Sequence, residues 1–269
     1  MLGAFVALLV ALMGASLLVP KTPAEAVSTR VTGNDISWPQ CPKGTGIPVR
    51  RGQGKPMPGP SSRLVIVGLT NGPGFYRTRA CVPRFAGSRT TTCGAAAYSM
   101  TTYPTRRQLA KFGATGPHAH KHLYGRLWNT GHAQAQFNLD TMKAARLRSP
   151  FIWVDVEPYT VSPWTRHRTN NAAAIRGVVA GYQRGGHRVG FYSTQSLWAQ
   201  IVGKLRYGYP EWRTAGQTSM VSALHKCSHA PIQGGRAVIA QWWTSRRDYD
   251  VVCPGHAGGS ELRRYFTKY

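Results

Sequence analysis

The chain has 269 residues, with 34 Lys and Arg against only 9 Asp and Glu, a formal net charge of +25. So basic a protein suits an anionic counter-surface, yet no helix-turn-helix, zinc-finger or RNA-binding signature is present, which argues against specific nucleic-acid recognition. Acids this scarce are not general-purpose surface charge, so each needs a local reason.

Residues 2–19 run without a charge and lead to Pro20, Lys21 and the small-residue site Ala24-Glu25-Ala26. The pattern reads as a secretory signal peptide over 1–26, although the usual positive n-region is missing. A retained membrane anchor is the alternative, since eighteen apolar residues just suffice to cross a bilayer. Residues 27–269 are then one domain with a substantial core. Its five cysteines, Cys41, Cys81, Cys93, Cys227 and Cys253, fit an oxidising compartment, with two disulfides and one spare thiol. Cys81–Cys93 would close a short loop and Cys41–Cys253 would tie the chain ends; spacing alone leaves the pairing open. None has the Cys-x-x-Cys spacing of a zinc site.

Strand signals fall at residues 31–38, 64–69, 95–103, 150–158, 189–193, 212–215, 237–243 and 249–253. Helical patterns lie between them at 105–112, 133–147, 170–183 and 195–202, the third stopped by Gly185-Gly186. Residues 41–60 are Pro/Gly-rich and read as a long loop; 75–92 show weak helical character and carry a cysteine-closed loop. Eight strands with interspersed helices predict an α/β fold, a single irregular (β/α)8 barrel with some helices reduced to loops. A doubly wound sheet is the alternative, but no glycine-rich nucleotide fingerprint appears.

The fourth strand is the most informative. In Pro150-Phe151-Ile152-Trp153-Val154-Asp155-Val156-Glu157-Pro158, alternation puts Trp153, Asp155 and Glu157 on one face and Ile152, Val154 and Val156 on the other. Two carboxylates side by side among apolar neighbours repel when both ionise, so one pKa rises and a proton donor stands beside an anion. A solvated pair on an exposed edge is the plainer reading, and burial among apolar residues argues against it. In a closed barrel Asp35 in the first strand and Asp248 and Asp250 in the last would face the same centre. Asp248, flanked by Arg246 and Arg247, reads instead as a surface ion pair.

Asp35-Ile36-Ser37-x-x-Gln40, Tyr98, Asp155-x-Glu157 and Tyr192 in Gly190-Phe191-Tyr192-Ser193, with Pro210-Glu211-Trp212, Gln241-Trp242 and Tyr249-Asp250 following in order, resemble family 25 glycoside hydrolases. That family comprises the N-acetylmuramidase type of lysozyme; the chain is most similar to its secreted actinobacterial members. The resemblance implies an irregular barrel that cleaves β-1,4 bonds of peptidoglycan without a cofactor. It implies Glu157 as general acid, Asp155 as stabiliser of positive charge or of the substrate acetamide, and Asp35 and Asp250 as assisting acids. The family commonly has Asn two residues after the last-strand Asp, where this chain has Val252.

Aromatic residues at strand positions suit a sugar site, because pyranose faces stack on rings. The candidates are Tyr98, Trp153, Tyr192, Trp212 and Trp242, with Trp38 and Trp243 beside them; for any single one, a core role is the more common outcome. His118, His120 and His122 alternate as metal ligands on a strand would, but a solvated loop is the commoner reason, and no metal is expected. No Gly-x-Ser-x-Gly elbow occurs. The sequence thus predicts a secreted, wall-associated, monomeric muramidase-like glycosidase, with a catalytically silent glycan-binding barrel as the alternative.

Overall fold

The structure is a computed structural model describing residues 30–76, 94–118, 122–160 and 162–268. The expected signal segment, the second cysteine loop with Cys81 and Cys93, and His120 lie outside the described residues. No helix among the described residues is long and apolar enough to cross a membrane.

Eight strands close into a barrel: β1 (Thr32–Ile36), β4 (Leu64–Gly68), β5 (Gly94–Met100), β6 (Phe151–Asp155), β7 (Arg188–Ser193), β8 (Glu211–Gln217), β9 (Ala237–Trp243) and β10 (Asp248–Val252). All eight coincide with strand signals in the sequence. The remaining two strands, β2 (Gly46–Ile47) and β3 (Arg50–Arg51), form a hairpin inside the long loop after β1. The helices among the described residues are α1 (Arg106–Gly113), α2 (Leu123–Ala144), α3 (Arg168–Arg184), α4 (Gln195–Val202), α5 (Met220–Lys226) and α6 (Gly259–Leu262).

Strands β1 and β4 to β9 run parallel, whereas β10 pairs antiparallel with both β9 and β1. Only four residues join β9 to β10, enough for a hairpin but not for a parallel crossover. The reversal has a functional consequence. The start of β10, not its end, lies at the barrel mouth where the other strands finish, because Asp248 pairs with Trp243.

Alternation along each strand builds two cores. Ile152, Val154, Val65 and Val67 point outward and pack beneath α2, α3 and α4, while Phe151, Trp153, Leu64, Ile66, Trp212 and Ile239 fill the interior. The division of the fourth strand into two faces is therefore as its alternation requires, although the strand ends at Asp155 and leaves Glu157 in the following loop. Past α6, Tyr265 and Phe266 close the floor, the Tyr265 ring lying 5.0 Å from Phe151 and 6.1 Å from Trp153.

Helix α2 begins ten residues before the sequence signal at 133. Its first half carries Gly125, Asn129 and Gly131 on buried positions, so no apolar stripe announces it. Small residues serve there because α2 and α3 touch backbone to backbone. A Cβ on Gly131 would lie 2.0 Å from the Ala174 carbonyl, and one on Gly177 only 1.9 Å from that of Trp128.

A disulfide joins Cys227, after α5, to Cys253, after β10. The Cys41–Cys253 pairing is thereby overturned; Cys41 is disulfide-bonded too. Closing a 26-residue separation restricts the unfolded chain by roughly 3 kcal/mol.

Candidate active site

At the barrel mouth the strand ends and the hairpin loop enclose a cleft of about 300 Å³. Asp35, Asp155, Glu157 and Asp248 line it, together with Tyr98, Tyr192, Trp212, Gln241, Trp38, Trp243 and Arg50. Asp155 comes from the last residue of β6, Glu157 from two residues beyond, Asp35 from the end of β1 and Asp248 from the reversed β10. Asp248 is thus no surface ion pair: it is half-buried at the mouth, and burial raises its pKa against the pull of Lys55. The two arginines before it misdirected the sequence reading: Arg246 and Arg247 lie in the turn, whereas Asp248 opens β10 and lines the cleft.

The acids sit at different depths. Asp250 is fully buried beneath the cleft, one oxygen accepting from the Trp212 indole N–H at 2.8 Å and the other without a partner. Asp35 accepts from the Gln241 amide at 2.8 Å, and the Gln241 oxygen accepts from the Tyr192 hydroxyl at 2.7 Å. This relay fixes the Asp35 carboxylate and the Tyr192 ring together. Asp155 is buried with one oxygen unpaired, while Glu157 is half-buried at the rim.

Burial is the largest cause of a raised pKa for all five. Neighbouring charge adds to it: Asp248 and Asp250 push Asp35 up, and Glu157 pushes Asp155 up. Arg50 works the other way on both Asp155 and Glu157. The pair therefore keeps a proton to higher pH than free carboxyls do, and that proton belongs to the pair rather than to either acid. A substrate N–H bonded to the unpaired oxygen of Asp155 would favour its anion and leave the proton on Glu157.

The aromatic candidates separate by depth. Tyr98, Tyr192 and Trp212 line the cleft, though Trp212 is 1% exposed and its indole is spent on Asp250, so it forms floor rather than platform. Trp153 is fully buried in the barrel interior, and Trp242 lies on the outer face against Tyr249, ring centres 5.2 Å apart; neither lines the cleft. Trp38 and Trp243 are half-buried and line the cleft, Trp38 with the Arg50 guanidinium over its ring. Arg50 and Gln241 complete the wall. Gln241 was legible only as part of a motif, and Arg50 carried no signal at all within a Pro/Gly-rich loop.

The raised acids fix the direction of a pH effect. Unfolded carboxyls titrate near about 4, and the folded ones hold their protons above that. The folded state then binds more protons than the unfolded state, so stability falls as pH rises from about 4 through the raised values. His132, lowered by burial, and Glu261, lowered chiefly by its hydrogen bond from His256, oppose this but are two groups against five. Thermal unfolding in moderate salt should show a Tm that declines between pH 4.5 and 7. A Tm that climbs over that interval would contradict the buried cluster.

A family profile described as Lysozyme-like protein 1 matches residues 124–215, from α2 into β8. No curated protein sequence matches the chain. Among solved structures, the family GH25 lysozyme from Aspergillus fumigatus superposes with a TM-score of 0.55 at 17% identity, over 88% of this chain and 98% of that one. The muramidase from Trichobolus zukalii gives 0.51 at 16% identity, over 87% and 99%. The chain has a GH25-like barrel, with five carboxylates gathered at and beneath its mouth.

Proposed function

We propose that this protein is an exported glycosidase that hydrolyses β-1,4 bonds of peptidoglycan. The observation that carries the reading is the cleft itself: Asp155 and Glu157 face one cavity, both pushed up by burial, between aromatic walls. Glu157, at the rim, donates a proton to the glycosidic oxygen as the bond breaks. Asp155, anionic once its free oxygen meets a substrate N–H, stabilises the positive charge that grows on the sugar ring or positions an acetamide that does so. Asp35, held by Gln241, and Asp248 line the same cleft, and Asp250 supports the floor through Trp212.

Export is supported by the apolar segment at 2–19 and by the Cys227–Cys253 disulfide, a bond kept in oxidising compartments. A net charge of +25 suits retention on an anionic cell wall. The lysozyme-like profile and the two muramidase-type folds support the same substrate.

The bond cleaved identifies the activity. Digested peptidoglycan, reduced with borohydride and hydrolysed, should yield muramitol, because muramidase action frees the reducing end of the muramic sugar. Glucosaminitol as the new alditol would assign the enzyme to the other glycosidic bond, and no alditol above the undigested control would remove the hydrolase reading.

A further inference from the structure

Acid-assisted cleavage of a glycan needs carboxylates and aromatic walls; it does not need the cation that stands among them. Arg50 opens β3 of the hairpin, half-buried at the mouth of the cleft. Its guanidinium carbon lies 5.2 Å from the centre of the Trp38 ring and 4.8 Å from that of Tyr159. Both supports are fixed. Trp38 belongs to the short helical turn directly after β1, and Pro39 within that turn accepts backbone bonds from Gln53 at 3.1 Å and Lys55 at 3.0 Å, which hold down the far arm of the loop. Tyr159 is 4% exposed and packs on Gly72, where an added Cβ would come within 2.7 Å of its hydroxyl oxygen. The hairpin seats on the same loop: a Cβ on Gly46 would be 2.2 Å from the Asn71 amide.

Ring contacts hold the guanidinium but spend none of its N–H donors. Among the described residues it makes no ion pair with Asp155 or Glu157, though both feel its charge. A planar cation gripped by two rings, with its donor fork unused by the described residues and facing a cleft, is built to receive a planar anion. Neutral sugar hydroxyls would leave that charge unanswered. Tyr159 also lines a second cavity, of about 870 Å³, whose wall carries Arg166, His167 and Arg168, so positive potential continues away from the acids.

We propose that Arg50 is a specificity-determining residue that binds a carboxylate on the side group of the sugar next to the scissile bond. The preferred substrate is then a glycan chain stripped of its stem peptides, whose lactyl carboxylates are free, rather than the same chain with those carboxyls tied up as amides. The assignment rests on the peptidoglycan reading of the cleft, so its test is made independent of turnover.

Glu157→Gln protein, with and without Arg50→Met, is titrated with peptide-free glycan chains bearing free lactyl carboxylates and with the same chains converted to neutral methylamides. Met retains an apolar stem between the rings and removes the charge. With Arg50 present, acidic chains should bind about ten- to a hundredfold more tightly than neutral ones, and the preference should shrink as salt rises. In the Arg50→Met background the ratio should fall to near one. An unchanged ratio, or an equal loss on both chains, overturns the proposal, the latter by showing that Arg50 only supports the hairpin. If the wild-type protein cleaves neither chain, the hydrolase reading fails, while the binding ratio still decides the role of Arg50.

Discussion

Replacing Glu157 with glutamine should lower turnover of glycan chains by about 10²–10⁴-fold while leaving the fold and glycan binding in place. The amide matches the carboxyl in size but holds no proton that it can deliver to a glycosidic oxygen, and the loss corresponds to about 3–5 kcal/mol of barrier. The fold survives for a local reason. Among the described residues the only hydrogen bond at position 157 is through the backbone, whose carbonyl accepts from the Trp164 indole at 2.9 Å, so the side chain is not a structural tie. Removing one of two mutually repelling acids should if anything raise the Tm, since Glu157 is among the causes of the raised pKa of Asp155. Initial rates and thermal unfolding on the same preparation check both halves. Lost activity together with lost folding would contradict the assignment of Glu157 as a chemical rather than a structural group.

Replacing Glu211 with alanine should have the opposite character, costing about 3–5 kcal/mol of stability. Glu211 is wholly buried at the start of β8, at the barrel end away from the cleft. Its carboxylate accepts from the Arg213 guanidinium at 2.8 Å and from the backbone N–H groups of Ile232, Gln233 and Gly235, each at 2.9 Å. One side chain thus pins the loop that leads into β9. Without it Arg213, 6% exposed, becomes a buried cation with no counter-charge, and three amide donors lose their acceptor. Such a loss is a large fraction of the about 5–15 kcal/mol that holds a typical domain together. The denaturant midpoint measures it. A shift worth under about 1 kcal/mol would mean that water enters and replaces the carboxylate.

Strands such as Leu64–Gly68 and Phe151–Asp155 were legible because burial on both faces writes short apolar runs. Asp155, Glu157, Asp35, Tyr98 and Tyr192 could be placed at one mouth because parallel strands of a closed barrel end together. What failed depends on contacts that no local pattern encodes. The direction of β10 decides which of its acids lies at the surface of the cleft, and so Asp248 lines it while Asp250 lies beneath. Trp153 and Trp242 occupy strand positions like those of the cleft aromatics, but one lies two residues deeper in the barrel than Asp155 and the other points to its outer face. The early start of α2 is hidden by the glycines that let it touch α3. Cys227 and Cys253 meet because α5 and the end of β10 share one end of the barrel, a fact of topology rather than spacing.

The central claim is that the carboxylates of this cleft hydrolyse a glycan. Its most direct measurement is the count of new reducing ends released from soluble peptidoglycan chains by the wild-type protein and by Glu157→Gln at equal concentration. The wild-type protein should release them steadily, and the variant at less than about a hundredth of that rate. Equal release by both would place the catalyst elsewhere, and binding without release by the wild-type protein would make this barrel a glycan-binding protein instead of an enzyme.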